Sequence, residues 1–414
     1  MPTVRIGLIG KTNTGKTTFF NSATSQTAEI SNYPFTTKTP NAAIGHAAAL
    51  CVHKELGLKV DNPRGSACID GWRMVPIEII DLPGLVRGAA EGRGLGNQFL
   101  TVAAQSDVLL HIVDASGSID VDGKISNPGA GDPVADIADI EEELALWYLM
   151  LFENSFEKIV RTMKSKPTPD FAQTVTDQLL GVGVRREHVA TVLQRINLFD
   201  ENVENWSEDQ KREFAWSLRE ESKPTLIVAN KMDVPESTKN FHKIRDAYRD
   251  RIIVPCSAES ELTLRRAEQS GVIKYFPGEE RFDIVKGAKL TEKQSWALAH
   301  INEAILGEYL RTGVQFAINV AVFKLLRMNA VYPVSDPARY SDRSGNILPD
   351  VFLMSSGSTV ADLAQSIHTD LAKGLIYAVD ARTGLRLPAD YQLKDRDVLS
   401  IVSAMKKVEA RKVQ

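Results

Sequence analysis

The chain is poor in the features that mark secreted, membrane or nucleic-acid-coating proteins. It has only three cysteines, Cys51, Cys68 and Cys256, in 414 residues. That rules against a disulfide framework and leads us to expect a cytoplasmic protein from a reducing compartment. The longest fully apolar run, Leu144 to Phe152, is about half of the ~20 residues a membrane-spanning helix needs. No signal peptide is expected before the first strand pattern, which starts almost at Met1. Charge of one sign is lacking too: 49 Lys and Arg against 53 Asp and Glu leave a net −4. This argues against a protein that coats nucleic acid. Neither DNA nor a membrane is expected as a partner. There is no internal repeat and no low-complexity tract. What is present, 43% apolar and 25% charged residues, is globular composition in a soluble chain long enough for two or three domains.

The most informative stretch is Gly10-Lys-Thr-Asn-Thr-Gly-Lys-Thr17, which fits the P-loop pattern G-x-x-x-x-G-K-[ST] at every fixed position. Val4–Ile9 before it reads as a buried strand, and a helix starts at about Lys16 and ends near Ser25. Strand, glycine loop and helix in that order aim backbone N–H groups and a positive helix end at an anion. Asn13, Thr14, Gly15, Lys16, Thr17 and Thr18 would hold the phosphates. Lys16 would reach the β- and γ-phosphates, and the Thr17 hydroxyl would ligate Mg²⁺.

Further strand patterns follow at Ala42–Val52, Val75–Asp81, Val108–Asp114, Thr225–Ala229 and Arg251–Ala258. Residues 53–74 read as an insertion with turn signals at Asp61-Asn-Pro63 and Arg64-Gly65. His46, Cys51, His53 and Cys68 lie within or beside it. Without a C-x-x-C pair the favoured reading is buried thiols and surface imidazoles rather than zinc. From Pro133 to Ser222 the pattern is helical: Ile137, Ile140, Leu144, Trp147 and Leu151 form one stripe and Val189, Val192 and Ile196 another. Thr168-Pro169 predicts a helix start, and Ser207–Gln210 and Thr291–Gln294 predict capping boxes. Antiparallel helices packed as a hairpin fit best. Two helices are expected over 291–327, then a small α+β module from 328 to 405 with a helix at Val360–Leu371. The expected organisation is therefore a P-loop α/β domain in two parts, 1–132 and 223–327, with the helical domain 133–222 inserted. The α+β module 328–405 and a basic tail 406–414 complete it.

P-loop kinases, ATPases and GTPases share the first motif, so the others must discriminate. Asp81-Leu-Pro-Gly84 at a strand end suits a carboxylate linked to Mg²⁺ and, at Gly84, a backbone N–H for the γ-phosphate. The glycines of Gly84–Gly96 fit a loop ordered by that phosphate. Thr36, Thr37 and Thr39 each offer a second hydroxyl to the metal. Asn230-Lys231-Met-Asp233 is the most telling. A carboxylate at Asp233 can accept both the N1–H and the exocyclic amine of guanine, a donor pair that adenine lacks. Ser257-Ala258 on the next strand end would offer a backbone N–H to the guanine oxygen.

In this order the motifs resemble the Obg family of GTPases, specifically its YchF-like branch, and most closely the archaeal members. Tyr33-Pro-Phe-Thr-Thr37, the loop Gly88–Leu100, the helical insert and the C-terminal module all match. Gly357–Asp362, Ile367–Leu371 and Leu393–Val398 resemble a TGS domain, a ubiquitin-like β-grasp module. The resemblance implies a Ras-like G domain that hydrolyses GTP to GDP, with Thr37 as the switch threonine and the ribosome or ribosomal RNA as partner. Asn13 stands where related potassium-using GTPases carry an asparagine ligand, which adds K⁺ to the expected cofactors GTP, GDP and Mg²⁺. Ras places a water-positioning Gln directly after Asp-x-x-Gly; here the residue is Leu85, so unaided turnover should be slow. YchF proteins that prefer ATP have lost the guanine-specifying motif, whereas Asn230, Lys231 and Asp233 are intact. Competing readings are a nucleotide-regulated binding module with incidental hydrolysis, an ATP-preferring YchF-type ATPase, and a P-loop kinase, the last disfavoured for want of an evident acceptor pocket.

Overall fold

The computed structural model describes residues 4–24, 42–82, 103–121, 123–165, 168–198 and 203–404. Thr37, Gly84 and Leu85, with the loops that carry them, lie outside these residues. Strands β1 (Arg5–Ile9), β2 (Ala42–Leu50), β3 (Ala67–Ile69), β4 (Trp72–Asp81), β5 (Val108–Asp114), β6 (Thr225–Asn230) and β7 (Ile253–Pro255) come first along the chain. No helix among the described residues is long and apolar enough to cross a membrane.

One compact unit comprises Arg5–Ala23 and Ile79–Ala317. In it β1, β5, β6 and β7 lie side by side and parallel, in that order. A parallel sheet needs cover on both faces, which explains why every residue of β5 and of β6 is buried. Gly10, Asp114 and Asn230 thus arrive at the same, carboxyl-terminal edge, where open α/β sheets hold their ligands. Helices α1 (Lys16–Thr24) and α2 (Val52–Glu55) precede a helical block of α3 (Pro133–Ser165), α4 (Phe171–Leu179), α5 (Arg186–Ile196) and α6 (Glu208–Ser222). Ile137, Ile140, Leu144 and Trp147 are buried as their spacing predicts. The block is a four-helix assembly rather than a simple hairpin. Phe152, Phe171, Trp206 and Phe214 gather at its centre, with ring centroids 4.9–6.0 Å apart. Both predicted capping boxes form. The start of α4 differs from expectation: Asp170, not Thr168, is the cap, its carboxylate accepting from the Gln173 N–H at 3.0 Å. After β6 come α7 (Ser237–Ala247), α8 (Ala258–Gln269) and a ribbon of β8 (Ile273–Lys274) with β9 (Asp283–Ile284).

The second unit joins Thr24–Glu78 to Ile318–Gln414. Its five-stranded sheet is built from β10 (Met328–Val334), β11 (Phe352–Ser355), β12 (Leu375–Asp380), β13 (Arg386–Leu387) and β14 (Val398–Ser403), in the order β11-β10-β14-β12-β13. Strand alternation sorts β10 between two cores. Val331 faces Val360, Leu363 and Ala364 of a helix on one side. Ala330, Tyr332 and Val334 pack on the other side against Ala49, Cys51, Val52 and Val75. The segments flanking the 53–74 insertion therefore share a core with the C-terminal module, with Leu56, Leu58 and Cys68 of the insertion packed against it. The predicted helix Val360–Leu371 is broken at His368, whose extended backbone (φ −167°) ends Val360–Ile367 and whose Nδ1 caps Thr369–Lys373.

Candidate nucleotide-binding site

Gly10 and Gly15 are glycines by necessity. Gly10 has φ +142°, and a Cβ there would lie 2.3 Å from the Ile112 carbonyl oxygen; at Gly15, φ +96°, it would lie 2.3 Å from Asn230 Nδ2. Asn13 between them is left-handed at φ +61°. The Lys16 ammonium is buried and folds back on the loop's own carbonyls, donating to Gly10 O at 3.1 Å and Lys11 O at 2.6 Å. Burial lowers Lys16 to about 8, against the opposing pull of Asp81. A phosphate replacing those carbonyls would restore its full charge. Thr18, third in α1, is half-buried.

Thr17 Oγ1 donates to Asp81 Oδ2 at 2.7 Å. The second carboxylate oxygen, Asp81 Oδ1, is buried and has no hydrogen-bond partner among the described residues. A hydroxyl beside a carboxylate with a spare buried lone pair fits an octahedral Mg²⁺, which takes a few hard oxygens and keeps waters for the rest. Thr17 and Asp81 would hold the ion, which would offset phosphate charge.

Asn230 links three segments. Its Nδ2 donates to Thr14 O at 2.9 Å and its Oδ1 accepts from Ala258 N at 3.0 Å. Asp233 Oδ1 accepts from Ser257 Oγ at 2.6 Å, and Ser257 in turn caps α8 through the Ser260 N–H. Lys231, left-handed at φ +65°, reaches Asp114 Oδ2 at 3.0 Å and Ser118 Oγ at 3.2 Å. The expected donor to guanine is already engaged: Ser257 N bonds Thr312 O at 2.8 Å, and Ala258 N bonds Asn230 Oδ1. A guanine oxygen would have to share the Ala258 N–H with Asn230.

Sequence reading missed Asp114. Its carboxylate accepts from the N–H and hydroxyl groups of both Ser116 and Ser118 as well as from Lys231. A carboxylate ending a fully buried strand was the available signal. Missed too was the cover of the P-loop by Gly123, whose carbonyl accepts from Thr12 Oγ1 at 2.9 Å and Asn13 Nδ2 at 3.0 Å. Lys11 is held by Asp136, with Asp139 at 3.7 Å. The reading of surface imidazoles also fails, because His46 and His53 are both buried. His53, Cys51 and Cys68 come together with Asp61, and His46 is not in that group.

Family models match along the chain: a 50S ribosome-binding GTPase model over residues 5–134, an Obg-like GTPase YGR210-like G4-motif domain over 228–336, and a TGS domain over 345–403. An uncharacterized GTP-binding protein of Methanocaldococcus jannaschii, MJ1332, is 43% identical over 97% of this chain and 99% of its own length. The crystal structure of a GTP binding protein from Pyrococcus horikoshii OT3 is 33% identical and superposes with a TM-score of 0.77, covering 97% of this chain and all of that one. The protein named ribosome-binding ATPase YchF of Haemophilus ducreyi is 25% identical over 90% of this chain and 87% of its own. A GTPase core, an intact Asn-Lys-x-Asp corner and a TGS module in one chain, matched end to end by such relatives, show that it belongs to the YchF-like branch of the Obg family of P-loop GTPases.

Proposed function

We propose that the protein binds GTP with Mg²⁺ and hydrolyses it to GDP and phosphate as a switch that works with the ribosome. The observation that carries this reading is the base corner. Asn230 ties the P-loop to the start of α8, and Ser257 fixes the Asp233 carboxylate before any base arrives. Lys16 would bind the phosphates, Thr17 and Asp81 the metal, and Asp233 the guanine edge. Thr37 and Gly84, which lie outside the described residues, complete the proposal as γ-phosphate sensors. Residues 133–222 and 328–405 would be the parts that report the bound nucleotide to a partner.

Asn13 Nδ2 is engaged by Gly123 O, and its Oδ1 would face a monovalent cation beside the phosphates. A K⁺ there would offset charge developing in the transition state. GTP hydrolysis is expected to run faster in KCl than in NaCl at equal ionic strength. Asn13→Ala should flatten the difference, and equal rates in the two salts for the wild type would remove the potassium site.

Ribosome association draws on the YchF relatives named ribosome-binding and on basic residues at the far end of α3. Lys158, Arg161 and Lys164 are exposed, although Lys164 meets Glu204 and Arg186 meets Asp170 at 3.0 Å. Residues 336–405 hold seven Lys and Arg against nine Asp, so the TGS domain offers no comparable basic face. Reversing Lys158, Arg161, Lys164 and Lys166 to Glu should weaken co-sedimentation with ribosomes and flatten its dependence on salt. Sedimentation unchanged across a salt series would exclude this face. Turnover measured with and without ribosomes separates a switch from a binding module: a switch should be stimulated, a module indifferent.

A further inference from the structure

Two thiols, an imidazole and a carboxylate meet away from the nucleotide site. Cys51, His53, Asp61 and Cys68 place their donor atoms all within 4.8 Å of one another. The fold of 42–78 collects them. Cys51 caps α2 just after β2, with its N–H held by Gly71 O at 2.8 Å in the β3–β4 turn. His53 lies in the first turn of α2. Cys68 is the middle residue of β3, opposite Arg73 on β4. Asp61 comes from the connecting loop, which is pinned where Asn62 N and Arg64 N donate to Ile347 O and Pro349 O, at 2.8 and 2.7 Å.

Cys51 Sγ lies 3.2 Å from Asp61 Oδ2, Cys68 Sγ 3.6 Å from His53 Nδ1, and His53 Nδ1 3.7 Å from Asp61 Oδ2. A tetrahedral zinc, with bonds of about 2.0–2.3 Å, sets neighbouring donors roughly 3.3–3.8 Å apart. We propose that Cys51, His53, Asp61 and Cys68 form a four-ligand structural zinc site. The donor set is too soft for Mg²⁺ or Ca²⁺, which take oxygen alone. Four protein donors leave no open position, so the ion would fasten rather than catalyse.

The surroundings suit such an ion. Arg73 is fully buried and donates to Asp61 Oδ2 at 2.9 Å, Ser66 Oγ at 3.1 Å and Leu348 O at 2.7 Å. It orients the carboxylate as outer partners of metal ligands do. Charge closes as well: two thiolates and one carboxylate against the two charges of zinc and one of Arg73. Cys51 and His53 are buried while Asp61 and Cys68 are half-buried, which leaves a route for the ion. Through Asp61 and Arg73 the site would staple the 51–73 segment to Leu348 and its neighbours in the C-terminal module.

The full-length chain, stripped by a chelator under reducing conditions, is titrated with Co²⁺ alone and then with Zn²⁺. One Co²⁺ per chain is expected, with thiolate-to-cobalt charge-transfer absorption and the visible bands of tetrahedral cobalt. Zn²⁺ should displace it and, binding to the stripped protein, release about two protons per ion as the thiols ionise. Cys68→Ser should lower the charge-transfer band and the Co²⁺ affinity, and Cys51→Ser combined with Cys68→Ser should lose the band, while Cys256→Ser, whose thiol lies in the other unit, should keep it in full. GDP affinity measured alongside reports the nucleotide site separately. An octahedral cobalt spectrum without charge transfer in the wild type overturns the proposal without recourse to any variant. So does a band that survives in the variant lacking both Cys51 and Cys68, or a Cys51–Cys68 disulfide in the purified protein.

Discussion

GDP is expected to bind at least tenfold, and up to more than a hundredfold, more tightly than ADP. The Asp233 carboxylate is half-buried and its orientation is set by Ser257 Oγ at 2.6 Å. Guanine offers it two donors, the N1–H and the exocyclic amine. Adenine offers an acceptor, N1, at the matching place, so the carboxylate would lose its water and gain no partner. An unmatched buried charged acceptor costs about 1–3 kcal/mol or more, which is roughly tenfold to over a hundredfold in affinity. Asp233→Asn exchanges acceptor for donor and should favour xanthine over guanine nucleotides. Titration of GDP and ADP against the purified protein is the measurement. Comparable affinities, or tighter ADP, would overturn the GTP reading and favour the activity in the name of the 25%-identical YchF ATPase.

How much of this was legible in the sequence depended on whether the chemistry is contiguous along the chain. The P-loop and Asn230–Asp233 each need neighbouring residues at fixed spacing, so pattern alone located them. Asp114 acts through Lys231, 117 positions away, and only the parallel register of β5 with β6 brings them together. The four donors of the proposed zinc site are scattered from 51 to 68 without a C-x-x-C pair, and Asp61 looked like a turn residue. The partition of the chain was equally hidden. Residues 42–78 carry no signal that Cys51, Val52 and Val75 should pack beneath Tyr332, because any apolar surface could have served. The helix cap at Asp170 was misjudged because Thr168-Pro169 is a good local signal two residues early. Local propensity identifies that a helix starts, and the reach of one side chain decides where.

The largest stability effect is expected at an ion pair unrelated to any motif. Arg219, 1% exposed, donates to Glu141 Oε2 at 2.6 Å and to Thr225 Oγ1 at 3.0 Å. It thereby ties α3 and α6 to the first residue of β6, the strand that ends in Asn230. Burial would push the Glu141 carboxyl up, but Arg219, with Arg251 at 3.7 Å and the nearby His111, holds it below the ordinary glutamate range. Arg219→Met removes the principal compensating charge and leaves Glu141 buried beside a more distant cation. Loss of one partner from a buried pair costs about 3–5 kcal/mol, and Arg251 should hold the loss near the lower bound. The pH dependence identifies the cause. In the wild type the depressed Glu141 contributes stability above the unfolded glutamate pKa and loses it as pH falls through the lower, folded value. In Arg219→Met burial dominates, the carboxyl moves up, and the protein is penalised wherever the unfolded glutamate would be ionised. The deficit should therefore be greatest near neutrality and shrink in acid. His111, buried and held at about 4 by desolvation with Arg219 adding to it, becomes easier to protonate once Arg219 is gone, which shrinks the deficit further. Denaturant titrations at neutral and acid pH test the sign, and Glu141→Gln combined with Arg219→Met should recover more than half of the loss. A double variant no more stable than the single one, or a deficit independent of pH, would show that Arg219 acts by packing alone.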